Sequence, residues 1–186
     1  MNLNILHISD THGFHGLFPH NTFDNIDILI HSGDCSNYRD PYRNEQEVRN
    51  FITWYSSLPV KYKIYVAGNH DTSIEKGLIT EDNFKQAGII YLENESINIE
   101  GLKIYGTPYT PTYFDWAFMK ARDKIYKVWD AIPEDIDILV VHGPPKSILD
   151  LSYNRANELE YCGCNALYKR IMKLNLKYVM FGHIHN

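Results

Sequence analysis

A chain of 186 residues, 44% hydrophobic and 22% charged, has the size and composition of an ordinary globular domain. Its formal charge is −5, and its Lys and Arg residues are scattered, which argues against duplex nucleic acid as a partner. A small phosphate ester is not excluded, because bound divalent cations would supply local positive charge.

The three cysteines, Cys35, Cys162 and Cys164, are too few for a disulfide framework and predict reduced thiols. The first ten residues lack the basic start and the long apolar core of a signal peptide. No apolar run reaches the roughly 18 residues that a membrane span requires. We therefore expect a cytoplasmic protein with no membrane partner, folded as one domain over residues 1–186.

Short apolar runs alternate with amphipathic stretches along the chain. The apolar runs predict buried strands at residues 3–9, 26–31, 63–67, 102–105, 136–142 and 177–181. Helical spacing of apolar residues predicts helices at 45–58, 81–87, 123–131 and 165–174. Residues 96–105 predict a β-hairpin, because Glu100 and Gly101 interrupt the apolar pattern. This alternation of strands and helices predicts an α/β layered architecture.

Five of the six predicted strands, all except the one at 102–105, run directly into polar residues. These residues are Asp10, His12, Asp34, Asn69, His70, His142, His183 and His185. Loops after the carboxyl ends of strands converge at one edge of an α/β sheet, where ligands bind. Carboxylates, imidazoles and an amide, without thiolates, suit manganese, iron, zinc or nickel. Eight such groups exceed the needs of one metal ion and fit two ions that share a bridging carboxylate.

The order of these motifs resembles the motif series of the calcineurin-like metallophosphoesterases. The matching stretches are Asp10-x-His12, Gly33-Asp34, Gly68-Asn69-His70-Asp71, His142-Gly143 and Gly182-His183-x-His185. The stretches IHSGDCS, SLPVKYKIYVAGNHD, IYGTPYTP and DILVVHGPP are similar to the class III cyclic-nucleotide phosphodiesterase-like branch. The resemblance implies an α/β fold, a layered β-sandwich of two mixed sheets flanked by helices, here lacking the C-terminal strands.

The resemblance also implies a role for each residue. One divalent ion would bind Asp10, His12 and His185, the other would bind Asn69, His142 and His183, and Asp34 would bridge them. Manganese is the first choice for both ions, with iron, zinc, nickel or cobalt as alternatives. His70 would protonate the leaving oxygen from outside the set of metal ligands, and Asp71 would orient its ring.

The implied activity is the hydrolysis of phosphoric esters, in which a hydroxide between the two ions attacks phosphorus. Small-molecule phosphodiesters, cyclic nucleotides first, are the implied substrates. A broad phosphomonoesterase or protein phosphatase is the nearest alternative, because the same metal ions serve both reactions. A non-catalytic protein-interaction scaffold on the same fold is the alternative of a different class.

Three further residues join Asn69 and His70 as candidates for substrate contact. His15 follows the Asp10-x-His12 loop and could reach a substrate phosphate. Tyr109 and Trp116 lie in an aromatic loop at 106–118. That loop fits either stacking on a nucleobase or plain packing.

The chain ends one residue after His185, whereas members of the resembled family usually continue into further strands. This end is consistent with a truncated natural protein, or with a homo-oligomer in which a partner chain completes the sheet edge. Both cases predict weaker metal occupancy at Asp10, His12 and His185 than at the other half of the site.

Overall fold

The computed structural model describes residues 3–154 and 156–185. Its β-strands are Ile5–Ile8 (β1), Ile28–His31 (β2), Tyr62–Tyr65 (β3), Ile90–Tyr91 (β4), Glu95–Ile99 (β5), Leu102–Thr107 (β6), Thr110–Pro111 (β7), Met119–Lys120 (β8), Ile138–Val141 (β9), Leu151–Tyr153 (β10), Leu159–Tyr161 (β11) and Tyr178–Met180 (β12). Its α-helices are Pro41–Ser57 (α1), Thr72–Glu75 (α2), Glu81–Gln86 (α3), Tyr126–Asp130 (α4) and Asn165–Ile171 (α5), with short 3-10 helices at His15–Leu17 and His20–Phe23. Each strand and helix predicted from the sequence is present, with changed bounds.

The first sheet has the order β1-β2-β3-β4, and its neighbouring strands pair in parallel. Strand β2 is buried along its whole length, as is typical of a parallel strand covered on both faces. Two mixed sheets were expected, but this one is parallel throughout its described strands. The reason is that each strand is reached through a long crossover; α1, for example, connects β2 to β3.

The second sheet has the order β12-β9-β6-β5 and is mixed, because only β5 pairs in an antiparallel manner. The predicted hairpin is confirmed over β5 and β6. Its connecting residues Glu100 and Gly101 have φ angles of 52° and 87°, the positive values that a tight two-residue turn requires.

The two sheets pack face to face around an apolar core. Ile28, Ile30 and Ile64 of the first sheet form one fully buried cluster with Ile104 and Ile138 of the second. Burying such side chains contributes roughly 1.5–3 kcal/mol each. This contact holds the carboxyl ends of both sets of parallel strands at fixed positions relative to each other.

Helices cover the outer faces of the sandwich. Phe51 and Tyr55 of α1 are buried in a cluster with Leu29 of the first sheet, and Trp129 of α4 and Leu167 of α5 belong to the cluster on the second sheet. None of the helices within residues 3–154 and 156–185 combines the length and the apolar character needed to cross a membrane.

Helix α1 begins four residues before the predicted start at residue 45. The Asp40 side chain accepts a hydrogen bond from the Arg43 N–H at 3.0 Å, and Pro41 occupies the first helical position. Both are strong signals for a helix start. Apolar spacing alone missed them, because the first turn is mostly polar. Helices α4 and α5 are shorter than predicted.

Candidate metal centre

The eight polar residues that follow the predicted strands lie at one edge of the sandwich. Asp10 and His12 follow β1, Asp34 follows β2, Asn69 and His70 follow β3, His142 follows β9, and His183 and His185 follow β12. Backbone hydrogen bonds join these loops. The Asp10 N–H donates to the Gly33 carbonyl at 2.9 Å, and the Gly182 N–H donates to the His142 carbonyl at 2.9 Å.

Four of these residues have a backbone conformation that residues with side chains rarely adopt. The φ angle is 53° for Asp10, 42° for His12, 58° for Asp34 and 74° for His183. Such conformations cost about 1–3 kcal/mol each and cluster at functional sites, where the surrounding structure maintains them. The folded protein therefore sustains local strain in the loops that present these side chains.

Two motif glycines let the backbone approach the carboxylates closely. A Cβ atom on Gly68 would overlap the Asp34 carboxylate, and a Cβ atom on Gly182 would overlap the Asp10 carboxylate. Beside Gly182, the His183 N–H donates to both Asp10 oxygens, at 3.1 and 3.0 Å. These glycines are required for space rather than for backbone freedom alone.

The side chains bring potential metal-ligand atoms together in three overlapping sets. The sets are Asp10, His12 and His185; His12, Asp34 and His70; and Asp34, His142 and His183. Within each set the ligand atoms lie within 4.8 Å of one another. Asp34 belongs to two sets, and its carboxylate is buried. A shared carboxylate of this kind is what two neighbouring metal ions need.

Three of the imidazole rings are oriented in the same way. The Nδ1 atoms of His12, His142 and His70 lie 3.0, 2.8 and 3.3 Å from the backbone carbonyl oxygens of Ser36, Ser32 and Asn37, respectively. A carbonyl oxygen can only accept, so each Nδ1 carries the proton and donates it. Nε2 is thereby left available for a metal ion or for proton transfer.

The buried half of the centre favours positive charge. His142 Nε2 lies 3.2 Å from Asp34 Oδ2 and 3.0 Å from Asn69 Oδ1. Burial lowers the pKa of His142, but the Asp34 carboxylate outweighs burial and raises it to about 9. Burial likewise raises the pKa of Asp34, and His142 shifts it well below its ordinary value. A divalent cation could replace the proton on His142, and this donor set of imidazole, carboxylate and amide oxygen suits one.

The two halves of the centre differ in exposure. The Asp34, Asn69 and His142 side chains are buried, whereas the His185 side chain is 57% exposed. His185 Nε2 nevertheless lies 3.0 Å from Asp10 Oδ1. Weaker occupancy at the half containing His185 stays a prediction, and the exposure of this ligand is a physical reason for it.

Asp71 does not orient the His70 ring, contrary to expectation. Its buried carboxylate accepts hydrogen bonds from the N–H groups of Asp34 and Gly68, at 2.9 and 2.6 Å, and from the Tyr65 hydroxyl at 2.6 Å. Burial and the nearby charge of Asp34 raise the pKa of Asp71. The carboxylate therefore joins the loops after β2 and β3, while the His70 ring contacts a backbone carbonyl instead.

The His70 ring lies between two other rings. Trp116 stacks on it with ring centres 4.1 Å apart and an interplanar angle of 30°, and His12 meets it edge-on at 4.8 Å. The Arg39 guanidinium lies 5.4 Å from the Trp116 ring and donates to the Asp115 carbonyl at 2.8 Å. Trp116 is therefore part of the site, and its observed contact is with His70.

His15 and Tyr109 lie in apolar clusters, apart from the ligand sets. The His15 ring is buried, 4.9 Å from the Trp54 ring, and burial lowers its pKa. The expected phosphate contact of His15 stays a prediction, and in this structure its ring also packs against Phe51, with ring centres 5.6 Å apart. Tyr109 packs against Phe118, and the Lys120 ammonium lies 4.7 Å above its ring. A substrate contact of Tyr109 stays a prediction.

Sequence reasoning missed the backbone carbonyls that orient the imidazoles, those of Ser32, Ser36 and Asn37. No residue type marks such an acceptor, since every residue carries one. Only the position of these residues, within three positions of Asp34, pointed toward the site.

Comparisons with known proteins agree with this geometry. The sequence model of the family described as calcineurin-like phosphoesterase matches residues 3–186. Metallophosphoesterase domain-containing protein 1 of Homo sapiens is 32% identical over 183 residues, which cover 86% of this chain and 54% of that protein. Probable rhamnogalacturonate lyase C of Emericella nidulans is 35% identical over 181 residues, which cover 89% of this chain and 16% of that protein.

The chain thus spans about half the length of the human relative and far less of the fungal one. The lyase activity in the fungal protein's name is not carried to this chain, because most of that protein lies outside the match. A solved crystal structure that is 16% identical superposes with a TM-score of 0.71 over 98% of this chain and 84% of that one. At this identity, the similarity shows the fold alone.

Proposed function

This chain belongs to the calcineurin-like phosphoesterase family, and on that premise we propose that it is a dinuclear-metal-dependent phosphoesterase. The observation that carries the proposal is the position of the buried Asp34 carboxylate between the two halves of the centre: its Oδ2 lies 3.9 Å from His12 Nε2 and 3.2 Å from His142 Nε2. The strained loops and the close-approach glycines around these residues support it further.

Seven side chains would hold the two ions. One ion would be held by Asp10, His12 and His185, the other by Asn69, His142 and His183, and Asp34 would contribute to both. When bound, two divalent ions neutralise charge on the phosphoryl oxygens and lower the pKa of water. Manganese is the first choice, with iron, zinc, nickel and cobalt as alternatives, because mixed oxygen and nitrogen ligands suit this group of metals.

His70 donates a proton to the leaving oxygen. Its Nδ1–H is engaged with the Asn37 carbonyl, so Nε2 is the nitrogen that can present a proton to the substrate. The Trp116 and His12 rings restrict the rotation of the imidazole. An alkoxide is a poor leaving group unless it is protonated as it departs, which is the role of a general acid.

Small phosphodiesters are the proposed substrates, with cyclic nucleotides first. A broad phosphomonoesterase or protein phosphatase would use the same metal ligands. A protein-interaction scaffold would need neither the metal ions nor His70. The test must therefore compare the hydrolysis of diesters with that of monoesters, and must show whether the protein hydrolyses any ester at all.

The test is hydrolysis by manganese-loaded protein of aryl diesters, aryl monoesters and the 2′,3′- and 3′,5′-cyclic nucleotides. We expect hydrolysis of diesters and a loss of roughly 100-fold in His70→Ala when the leaving group is phenol. The loss should be much smaller with 4-nitrophenol, which leaves without protonation and serves as the internal control. Hydrolysis of monoesters alone would favour the phosphatase alternative, and no hydrolysis of any ester would favour the scaffold.

A further inference from the structure

A cleft with a volume of about 680 Å³ opens beside the metal-ligand groups. His183 and His185 are among the residues that line it, whereas His70 and Trp116 are not. This volume lies in the range of roughly 300–1,000 Å³ typical of small-molecule sites. The cleft therefore adjoins the place where a phosphoryl group would bind, but it is not lined by the proton donor.

One wall of the cleft is the hairpin formed by β10 and β11. Ser152 and Glu160 lie directly opposite each other in its register, and both line the cleft. The adjacent pair, Leu151 and Tyr161, is exposed and does not line it. Side chains alternate between the faces of a strand, so the hairpin turns Ser152 and Glu160 toward the cleft and Leu151 and Tyr161 to solvent. Tyr153, the last residue of β10, also lines the cleft. The polar pair suits a hydrogen-bonding ligand better than apolar packing.

The hairpin is anchored at its base. The Arg122 guanidinium donates to the carbonyls of Cys162 at 3.0 Å and Gly163 at 3.3 Å, directly after β11. The Asn154 side chain lies 3.4 Å from the Glu160 carboxylate. Glu160 is thus presented from a wall that is tied to the body of the protein.

The charge of Glu160 limits what the cleft can hold. Arg122 also lines the cleft, so the charges of these two side chains offset each other and a neutral ligand group is favoured over a charged one. The Glu160 carboxylate only accepts hydrogen bonds. Hydroxyl groups are suitable partners, because they donate to Glu160 and exchange hydrogen bonds with the Ser152 hydroxyl. The chemistry favours a neutral, hydroxyl-rich group.

We propose that this cleft binds the substituent that remains on phosphorus during hydrolysis, a neutral group with adjacent hydroxyls such as a sugar or a polyol. Glu160 and Ser152 are its specificity-determining residues. The inference rests on the proposed function, and it gives that function a reason to prefer diesters, since a monoester has no second substituent to place in the cleft.

The test compares three diesters that share 4-nitrophenol as leaving group and retain methyl, 4,5-dihydroxypentyl or ribonucleoside 5′ groups, in which no hydroxyl is placed to form a five-membered ring at phosphorus. For the manganese-loaded protein, we expect kcat/KM to be about tenfold higher with a hydroxylated retained group than with methyl, the effect of one charge-assisted hydrogen bond. The dihydroxypentyl and nucleoside arms distinguish an open-chain diol from a sugar. In Glu160→Ala and Ser152→Ala this preference should disappear, because kcat/KM with the hydroxylated diesters falls to the value for the methyl diester.

The matched control is Leu159→Ala, which changes a neighbouring exposed residue of β11 that does not line the cleft. It should preserve the wild-type preference. Equal rates for the three diesters in the wild type would overturn the inference and leave the proposed function standing. An equal loss on all three in Glu160→Ala would also overturn it, because that pattern indicates a structural role.

If none of the diesters is hydrolysed, the proposed function is refuted. The inference about the cleft can still be decided by a binding measurement. Calorimetry on the manganese-loaded protein should show glycerol phosphate binding about tenfold more tightly than methyl phosphate. Glu160→Ala should bind the two equally. Equal binding to the wild type would contradict the assignment of the cleft.

Discussion

At Gly182, the absence of a side chain determines the geometry of the candidate metal centre. Its backbone packs against the Asp10 carboxylate, and a methyl group there would occupy the same space. Displacement of Asp10 would open the half of the centre that also contains His12 and His185.

For Gly182→Ala we expect the metal content to fall from two ions per chain toward one. Activity should fall by on the order of 100-fold, the usual cost of moving a reacting group by about 1 Å. Gly16→Ala is the control, because a Cβ atom on Gly16 would meet open space. Full metal content in Gly182→Ala, measured by elemental analysis, would refute this role.

His31 is a buried histidine whose hydrogen bonds require the neutral ring. The Gly33 N–H donates to its Nδ1 at 3.2 Å, so the ring proton lies on Nε2, 3.1 Å from the Thr11 hydroxyl. Burial lowers the pKa of His31 to about 3. As the pH falls, His31 therefore binds a second ring proton at a higher pH in the unfolded chain than in the folded chain. The contribution of neutral His31 to the free energy of unfolding is complete above about pH 6.5 and is lost as the pH decreases toward 3.

We expect the free energy of unfolding of the metal-free protein to fall more steeply with acidification than that of His31→Asn. Between about pH 8 and pH 5 the difference should be about 2 kcal/mol. Asparagine is the suitable variant, because its Oδ1 can still accept from the Gly33 N–H. Urea unfolding at the two pH values measures the effect, and parallel decreases in both proteins would show that His31 does not contribute.

At the scale of elements, the loops after β2 and β3 are joined by one carboxylate. Asp71 accepts from the backbone of both loops and from Tyr65. An asparagine in its place would direct its NH₂ group at groups that are themselves hydrogen-bond donors. The hydrogen bonds that the replaced oxygen accepts would then be lost. For Asp71→Asn we expect the free energy of unfolding to decrease by about 2–3 kcal/mol, the effect of breaking buried hydrogen bonds to a charged group.

The control for Asp71→Asn is Asp115→Asn, since the Asp115 side chain is fully exposed in its pair with Arg39. That change should alter stability by less than about 1 kcal/mol. If Asp71→Asn kept wild-type stability and lost only activity toward phenyl esters, the role first expected from the sequence, orientation of His70, would be restored.

The elements that present the site could be predicted from the sequence because their signals are local. A buried apolar run followed by polar residues and glycine marks a strand and its loop, and β1, β2, β3, β9 and β12 all carry this signal. The partners of Asp71 and His15 could not be predicted, because they depend on which loops meet in three dimensions. The β10–β11 hairpin was missed because its strands are short and its apolar residues face solvent.

At the scale of the whole molecule, each sheet contributes about half of the proposed metal ligands. The first sheet supplies Asp34 and the second supplies His142, and these two buried groups lie 3.2 Å apart. The packing of the sandwich therefore sets the distance between the two ligand groups. Metal ions that bind the folded chain would in turn stabilise this packing, by linkage between binding and folding.

The measurement that tests the central claim most directly is anomalous diffraction from crystals of the manganese-loaded protein. We expect two anomalous peaks per chain, about 3.5–4 Å apart, with the Asp34 carboxylate between them and His70 outside both coordination spheres. A single peak, peaks remote from Asp34, or a peak ligated by His70 would contradict the account.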